Sequence, residues 1–508
     1  MHTVKDHEDS RAADLSVFVV CPFSLQILNG THNQNYFIVR CLLSYVVSSL
    51  NLRLRHYKPP RGWNSYDSFC WTINEEQFLQ NAQAVSNRLY AHGYKYVVVD
   101  YLWYRRMVEG AGIDSLGFDV IDEWGRLAPD PSRWPTSVNG KGFTQVSAKV
   151  HSMNLKFGIN VMRGISTQAY NANTPILDVK TGRAYEESGR IYTAKDIGIP
   201  DRPCSWMKNG FMSVNISMAA GRAFLRSLYV QYDHWGVEFV KHDCVFGEDL
   251  DLEEIETVSR ILQNRRHDIV YSVSPGTGAT PAMAKVVTDL VDMYKIGSAS
   301  IAKDGWGYVV AHLFVARDFA AAGLIGSDDY NGIWADLDAL PFGWVTDPPD
   351  SMRGPYRNSS LTPDQQRTQM TFWGITRAPL FLGGDVRNLD DATYDLITNP
   401  MLLEMNTYSS NNTELLNVDV GNGIRAWIAD QTDSGVVYLA CFNLTYQKRQ
   451  VSAKVSDLAK AVPQIFGSNV SICDGREAWS GMDIGKNQTV ISMDVEANGA
   501  ALFLLYCF

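Results

Sequence analysis

The sequence predicts a (β/α)8 barrel followed by a small antiparallel β-sandwich, on three observations. Between Pro59 and Met405, short β-rich runs alternate with longer amphipathic segments. Several of the short runs are almost entirely apolar, as strands buried on both faces of a parallel sheet are. After about Tyr408 the chain changes to short alternating or apolar pieces between turn residues, which is typical of a sandwich of about a hundred residues. We therefore place the barrel at residues 58–407 and the sandwich at residues 408–508.

The strands and helices of the predicted barrel follow in chain order. Candidate helices at Glu75–Gly93 and Ala219–Gly236 have apolar residues at helical spacing and end on glycine. The alternative fold, a doubly wound open sheet, would carry a glycine-rich phosphate turn after its first strand, and RGWNSYDSF is not such a turn. The candidate strands are Tyr94–Asp100, Lys156–Met162, Glu238–Val245, Asp268–Ser274, Met293–Gly297 and Ala378–Gly384.

Residues 1–57 fit neither domain. The chain opens MHTVKDHEDSRAAD, which is too acidic and polar for the start of a signal peptide. The two apolar stretches that follow are too short or too interrupted for a membrane span. We expect an N-terminal extension of unclear role that contributes little to the fold, and no membrane span.

Charge and motif content exclude several classes of function. The formal net charge of -10 argues against a nucleic-acid or anionic-membrane partner, because both reward clustered Lys and Arg. The sequence has no C-x-x-C pair and no histidine pair at metal-binding spacing, so we expect neither a metal site nor a metal cofactor. Seven N-x-S/T sequons are compatible with a glycosylated secretory protein; they begin at Asn29, Asn215, Asn358, Asn411, Asn443, Asn469 and Asn487.

The segment FVKHDCV carries the strongest chemical signal. On a strand, alternate side chains face the same side, so Lys241 and Asp243 point together. A lysine beside an aspartate keeps the carboxylate ionised, as a covalent displacement at a sugar carbon requires. A structural ion pair inside the barrel is the alternative. His242 and Cys244 then face outward, and we interpret them as packing residues.

Five motifs occur in the order PPRGWNSYDSF, VVVDYLW, FVKHDCV, IWADLDALPFGW and WGITRAPLFLGGDVRNL. They resemble the motifs of glycoside hydrolase family 27, the melibiases or α-galactosidases, and most of all a plant branch of that family. The resemblance runs from about Pro59 into the sandwich, including AWSGMDIG and GAALFLL. It implies a retaining hydrolase with two catalytic aspartates and no cofactor, and a carbohydrate substrate with a terminal α-galactosyl group. With the sequons, it also implies a secreted, cell-wall or vacuolar protein.

The resemblance assigns roles to particular residues. Asp243 matches the nucleophile, and Lys241 matches a neighbouring sugar-binding lysine. Four further residues match positions that line or hold the sugar, in the motifs GWNSY, DYLW and WADLD. They are Trp63, Asp100, Trp103 and Asp336, the last together with Asp338.

Two departures from the family pattern affect the expected chemistry. Tyr101 replaces the second aspartate of the strand-two motif, so the preferred sugar could be a relative of galactose such as β-L-arabinopyranose. The family's acid/base aspartate falls on Ala299 and its arginine on Lys295. We place Tyr101 and Lys295 in the sugar pocket and assign the acid/base role to Asp304, the nearest later carboxylate. The alternative is a catalytically impaired homologue that binds sugar without cleaving it.

The resemblance also implies a disulfide at Cys244. Its usual partner follows the third strand, and RGIST holds no cysteine there. We therefore expect Cys244 to lack that bond.

Overall fold

A computed structural model describes residues 58–265, 267–297, 303–326, 332–347, 354–431, 434–466 and 470–508. The predictions made for residues 1–57 and for Ala299 lie outside these ranges, as do the sequons at Asn29 and Asn469.

The predicted barrel is confirmed. Its eight strands are parallel and neighbour one another in the order β7-β6-β5-β4-β3-β2-β1-β8. A parallel bridge between Leu340, just after β7, and Leu382 in β8 joins the two ends of this sheet. The strands are β1 Arg61–Asn64, β2 Tyr96–Val99, β3 Lys156–Met162, β4 Phe239–Phe246, β5 Val270–Pro275, β6 Met293–Lys295, β7 Trp334–Asp336 and β8 Leu380–Leu382.

A helix follows each barrel strand. The first begins where the side chain of Asn74 accepts the backbone N–H of Gln77 and the side chain of Gln77 accepts the backbone N–H of Asn74. No helix in the described ranges is both long and apolar enough to cross a membrane. The eight helices are α1 Glu75–Arg88, α2 Thr144–Ser152, α3 Ala219–His234, α4 Leu252–Leu262, α5 Pro281–Val287, α6 Trp306–Ala321, α7 Pro363–Ile375 and α8 Pro400–Tyr408.

The C-terminal region forms two antiparallel sheets, as predicted. A six-stranded sheet has the order β9-β10-β11-β16-β13-β14, and β12 pairs with β15. Leu439 and Phe503 of the first sheet share a buried cluster with Val451 and Ile491 of the second, so the two sheets pack as a sandwich. The strands are β9 Ser410–Glu414, β10 Ile424–Gln431, β11 Val436–Asn443, β12 Arg449–Lys454, β13 Cys473–Glu477, β14 Asp483–Gln488, β15 Val490–Val495 and β16 Ala500–Cys507.

Barrel and sandwich share one hydrophobic core. The ring of Phe372, in α7, lies 5.4 Å from that of Trp427 in β10 and 5.6 Å from that of Phe442 in β11. All three side chains are fully buried. The sandwich therefore covers the apolar side of a barrel helix.

The connection from β3 to α3 is a long excursion with its own small sheet. Its three antiparallel strands are Ile165–Ser166, Phe211–Val214 and Gly198–Pro203. Cys204, at the end of this sheet, forms a disulfide with Cys244 of β4. Our expectation that Cys244 lacks a disulfide is therefore wrong. The partner lies 40 residues earlier in sequence, and the folding of the excursion brings it back to β4.

Candidate active site

A polar cluster joins three strands at their carboxyl ends, where active sites of this architecture lie. Asp100 follows β2 directly. Its Oδ2 accepts hydrogen bonds from Lys241 Nζ of β4 at 3.0 Å and from Asn64 Nδ2 of β1 at 2.8 Å. Burial alone would raise the pKa of Asp100, but Lys241, the backbone N–H of Tyr101 and Asn64 outweigh it and leave the pKa below its ordinary value. Asp100 is thus an ionised acceptor.

Asp243 lies where the pairing of β4 with β3 ends. It is the last residue of β4 paired with β3, opposite Met162, and 8% of it is exposed. Its Oδ1 accepts the backbone N–H of Cys244 at 2.7 Å. The ammonium of Lys241 is bonded to Asp100, which follows β2, two strands away from β4. Burial lowers the pKa of Lys241, but the charges of Asp100 and then of Asp243 help to raise it above its ordinary value. The ion pair of Lys241 is therefore with Asp100, and Asp243 contributes through its charge.

Two lysines and two aspartates face one another on the β6–β7 side. Asp338 Oδ2 lies 2.8 Å from Lys295 Nζ and 3.1 Å from Lys303 Nζ. Burial opposes the charge of Asp338, yet the lysines keep its pKa well below the ordinary value. For half-buried Asp336, burial and then the charge of Asp338 raise the pKa to about 6.

Some of these groups line a common cavity inside the barrel, whereas Asp100, Asp243 and Lys295 are not among its lining residues. Its polar lining consists of Asn64, Lys241, Ser272, Lys303, Asp336 and Asp338. The ring of Tyr66 stands beside it, with Lys303 Nζ 4.1 Å and Lys241 Nζ 5.9 Å from the ring centroid. Neither Tyr66 nor Lys303 was predicted from the sequence. Tyr66 belongs to the motif GWNSYDSF, and Lys303 directly precedes Asp304. The motif and this neighbouring position were the signals that could have identified them.

The structure does not bring Trp63 and Trp103 to the cavity. Both are fully buried. The indole N–H of Trp63 donates to Gly384 O at 2.8 Å, and its ring packs against Phe69 and Phe78. The indole N–H of Trp103 donates to a backbone carbonyl of β3 at 2.8 Å. The aromatic face beside the cavity belongs to Tyr66.

Tyr101 stands one layer behind Tyr66. Its ring centroid is 5.5 Å from that of Tyr66, and its hydroxyl is 3.0 Å from Cys70 Sγ. Only 2% of Tyr101 is exposed. The residue that replaces the family's second aspartate therefore adds an aromatic wall where the family has a charge.

Asp304 is held away from a proton-donating role. Arg357 Nη1 donates to its Oδ2 at 2.6 Å, and the backbone N–H of Ser360 donates to the same oxygen at 3.0 Å. Burial would raise the pKa of Asp304, but these two partners leave it below its ordinary value. In this arrangement Asp304 is a carboxylate and must leave Arg357 before it can carry a proton.

Comparison with known proteins points to one family. Residues 227–408 match a family model described as "Alpha galactosidase A" (Melibiase_2). An α-galactosidase from Cyamopsis tetragonoloba is 22% identical over 88% of this chain and 86% of its own length. Alpha-galactosidase 2 of Arabidopsis thaliana is 24% identical over 68% of this chain and 66% of its own length.

Among solved structures, a GH27 β-L-arabinopyranosidase from Geobacillus stearothermophilus superimposes with a TM-score of 0.76. It is 28% identical and covers 88% of this chain and 96% of its own. The barrel, the sandwich and the motif order agree with this likeness. The matched family model, the relatives and the solved structures all point to glycoside hydrolase family 27, the melibiase family, which this chain resembles.

Proposed function

We propose that this protein is a retaining glycoside hydrolase that removes terminal α-D-galactosyl residues from oligosaccharides or glycoconjugates, with Asp243 as nucleophile. The observation that supports this best is the position of Asp243. It ends the β3-paired part of β4, at the barrel mouth, beside the Lys241–Asp100 pair. A carboxylate at this end of a barrel strand is placed to meet substrate, whereas one at the other end would serve stability.

The site offers sugar hydroxyls both hydrogen-bond acceptors and a hydrogen-bond donor. Asp338, which lines the cavity, and Asp100 are ionised acceptors, and Lys241, which also lines the cavity, is a donor held by Asp100. In this proposal the galactosyl ring lies against Tyr66 with its hydroxyls on these groups. Barrel strands β2, β4 and β7 carry or closely precede these groups.

The reaction proceeds in two displacements. A carboxylate oxygen of Asp243 bonds to the anomeric carbon while the bond from that carbon to the leaving oxygen breaks. Water then bonds to the anomeric carbon, the Asp243 ester breaks, and a proton passes from the water to the carboxylate that gave up its proton in the first step. The leaving oxygen needs a proton in the first step, and general acid help is worth about 10²–10⁴ in rate.

Asp304 remains the proposed donor of that proton. Because Arg357 holds it ionised, we expect slow cleavage of natural galactosides, limited by how often Asp304 leaves Arg357. An activated aryl galactoside needs no proton on its leaving group, so its first step is less affected.

A second sugar is favoured by Tyr101. β-L-Arabinopyranose has the ring of galactose without the hydroxymethyl group. Its binding site therefore needs no hydrogen-bond partner for the hydroxyl of that group. Here the buried Tyr101 stands where the family has a carboxylate, and the similar bacterial structure is that of a β-L-arabinopyranosidase. We propose β-L-arabinopyranosides as the alternative substrate of the same site.

The state of Asp304 also supports a candidate from another class. A homologue that binds terminal galactosyl groups without cleaving them would keep the Asp100–Lys241 cluster and lack a free acid. Binding without turnover would identify it.

One experiment tests these candidates together. A 2-fluorogalactosyl inactivator should label Asp243, as read by peptide mass, and Asp243→Asn should abolish the label, whereas the exposed Asp201→Asn should retain it. In the same preparation, an aryl α-galactoside should give a burst and then slow turnover that azide accelerates, while melibiose is cleaved far more slowly. An aryl β-L-arabinopyranoside serves as the parallel substrate.

The results separate the candidates. Label on another residue, or full activity in Asp243→Ala, would reject Asp243 as nucleophile. Fast melibiose hydrolysis that is insensitive to Asp304→Ala would reject Asp304 as acid.

We also propose that the protein is secreted, or resides in the cell wall or vacuole. The two disulfides among the described residues, Cys204–Cys244 and Cys473–Cys507, are typical of an oxidising compartment. Exposed sequons at Asn358 and Asn487 are accessible to glycosylation. Asn443 is not, because it is buried and its amide donates to three backbone carbonyls.

A further inference from the structure

An aromatic row leads from the cavity to the surface. Tyr66 stands beside the cavity, under Lys303. The ring of Tyr101 is 5.5 Å from that of Tyr66, and the ring of Trp206 lies a further 5.6 Å away, edge-on at 70°. Tyr101 is buried, but 37% of Trp206 is exposed. The row therefore ends in an accessible indole on the rim of the site.

The nucleophile strand fixes the position of this indole. Trp206 lies two residues from Cys204, whose disulfide partner, Cys244, directly follows Asp243. With a Cα–Cα distance of 5.4 Å across the disulfide, the Cα atoms of Trp206 and Asp243 are at most about 17 Å apart. The Trp206 side chain and one sugar ring together cover much of that distance, so a sugar unit bound next to Asp243 would lie near the indole.

Hydrogen bonds hold both sides of Trp206. Before it, the backbone N–H and hydroxyl of Ser205 donate to Asp249 at 3.2 and 2.6 Å. After it, Met207 is fully buried, and the backbone N–H of Asn209 donates to Asp114 at 2.7 Å. The exposed indole thus stands on an anchored loop, and its exposure does not come from a free loop tip.

We infer that Trp206 is the platform of an aglycone subsite, on which the sugar ring next to the cleaved galactosyl unit stacks. This inference rests on the proposed function of the neighbouring cavity. The apolar C–H face of a pyranose ring packs against an indole, while its hydroxyls remain in water. The ligand class is a neutral, ring-shaped, hydroxylated aglycone, such as the glucose unit of melibiose.

The test measures binding in an Asp243→Asn background, so that catalysis does not interfere. Galactose reports on the cavity alone, and melibiose reports on the cavity plus the subsite. Titration calorimetry should show that Trp206→Ala weakens melibiose about three- to tenfold and leaves galactose within twofold. Trp206→Phe should recover most of the loss. Tyr446→Ala, at an 84% exposed aromatic of the sandwich, is the matched control and should change neither affinity.

A spectroscopic signal separates stacking from a structural role. Melibiose, but not galactose, should shift the indole emission of the protein, and the shift should disappear in Trp206→Ala. Unchanged melibiose affinity in Trp206→Ala, or an equal loss for both sugars, would overturn the subsite and leave the proposed function standing. If the Asp243→Asn protein binds neither sugar, the proposed function falls and the subsite falls with it.

Discussion

Asp67 is a carboxyl group whose surroundings favour its neutral form. It is 2% exposed, and neither of its side-chain oxygens accepts a hydrogen bond from the described residues. Lys303 Nζ is 3.7 Å away, at ion-pair distance. Burial outweighs that lysine and, with the charges of Asp338 and Asp100, raises the pKa of Asp67 to about 6.

This raised pKa makes stability depend on pH in a defined direction. Because the folded-state pKa of Asp67 lies above the unfolded value near 3.8, its contribution is fully present below pH 4 and is lost as the pH rises through 6. Asp67→Asn keeps the shape and removes the titration. We expect it to stabilise the protein above pH 7, by at most about 3 kcal/mol, and to give no gain near pH 4.

Thermal melts across this pH range check the prediction. Asp201→Asn, at an exposed aspartate, should give parallel curves at every pH. Equal stability of Asp67→Asn and wild type at pH 8 would show that Lys303 fully offsets the burial of Asp67.

Strand alternation predicted part of the site at the residue scale. It placed Lys241 and Asp243 on one face, and the motif order added Asp100. It could not predict that Lys241 bonds to Asp100, because that contact depends on how β2, β3 and β4 are aligned in the barrel. Nor could it predict the burial of Trp63, which follows from side chains such as Phe78 on a helix that comes later in the chain.

At the scale of elements, long apolar runs were predictable and short strands were not. The structure confirms β3 at Lys156–Met162, as predicted, and β4 within one residue of its predicted ends. The sequence patterns gave no strand at Arg61–Asn64 or Trp334–Asp336, which have four and three residues. Such pieces are too short to show a period, and they are strands only because barrel neighbours pair with them.

The disulfide Cys204–Cys244 ties the excursion after β3 to the nucleophile strand. Replacing both cysteines by serine opens a loop with a sequence separation of 40 and should cost about 4 kcal/mol. The Cys473–Cys507 bond in the sandwich, with a separation of 34, should cost about the same. Only loss of the first bond should also weaken melibiose binding, because only that bond lies beside the cavity.

Chemical denaturation and sugar titration of the two double variants make this comparison. If both variants bind melibiose equally well, the excursion holds its position without the bond.

At the scale of the molecule, the shared core makes barrel and sandwich one unit. Phe372 is fully buried between α7 and the sandwich strands, so Phe372→Ala should cost about 3–5 kcal/mol. We expect a single calorimetric transition in wild type and in the variant, shifted down in the variant. Leu416→Ala, at a 67% exposed side chain of the sandwich, should leave the transition in place.

Two separate transitions, only one of them shifted, would show that the sandwich folds on its own. The sequence predicted both domains but not this dependence, because the residues that meet across the boundary belong to elements far apart in the chain.

The barrel is closed unevenly. Between β7 and β8 the described residues form one bridge, Leu340–Leu382, with hydrogen bonds from Leu340 N to Phe381 O and from Gly383 N to Leu340 O. By contrast, β3 and β4 are paired at five successive residues. Fewer hydrogen bonds must break to open the β7–β8 seam than to separate β3 from β4. Amide protons along the seam should therefore exchange with solvent faster than those of β3 and β4. Asp336 and Asp338 line the cavity and lie beside this seam. The side of the cavity that opens most easily therefore carries two of its carboxyl groups.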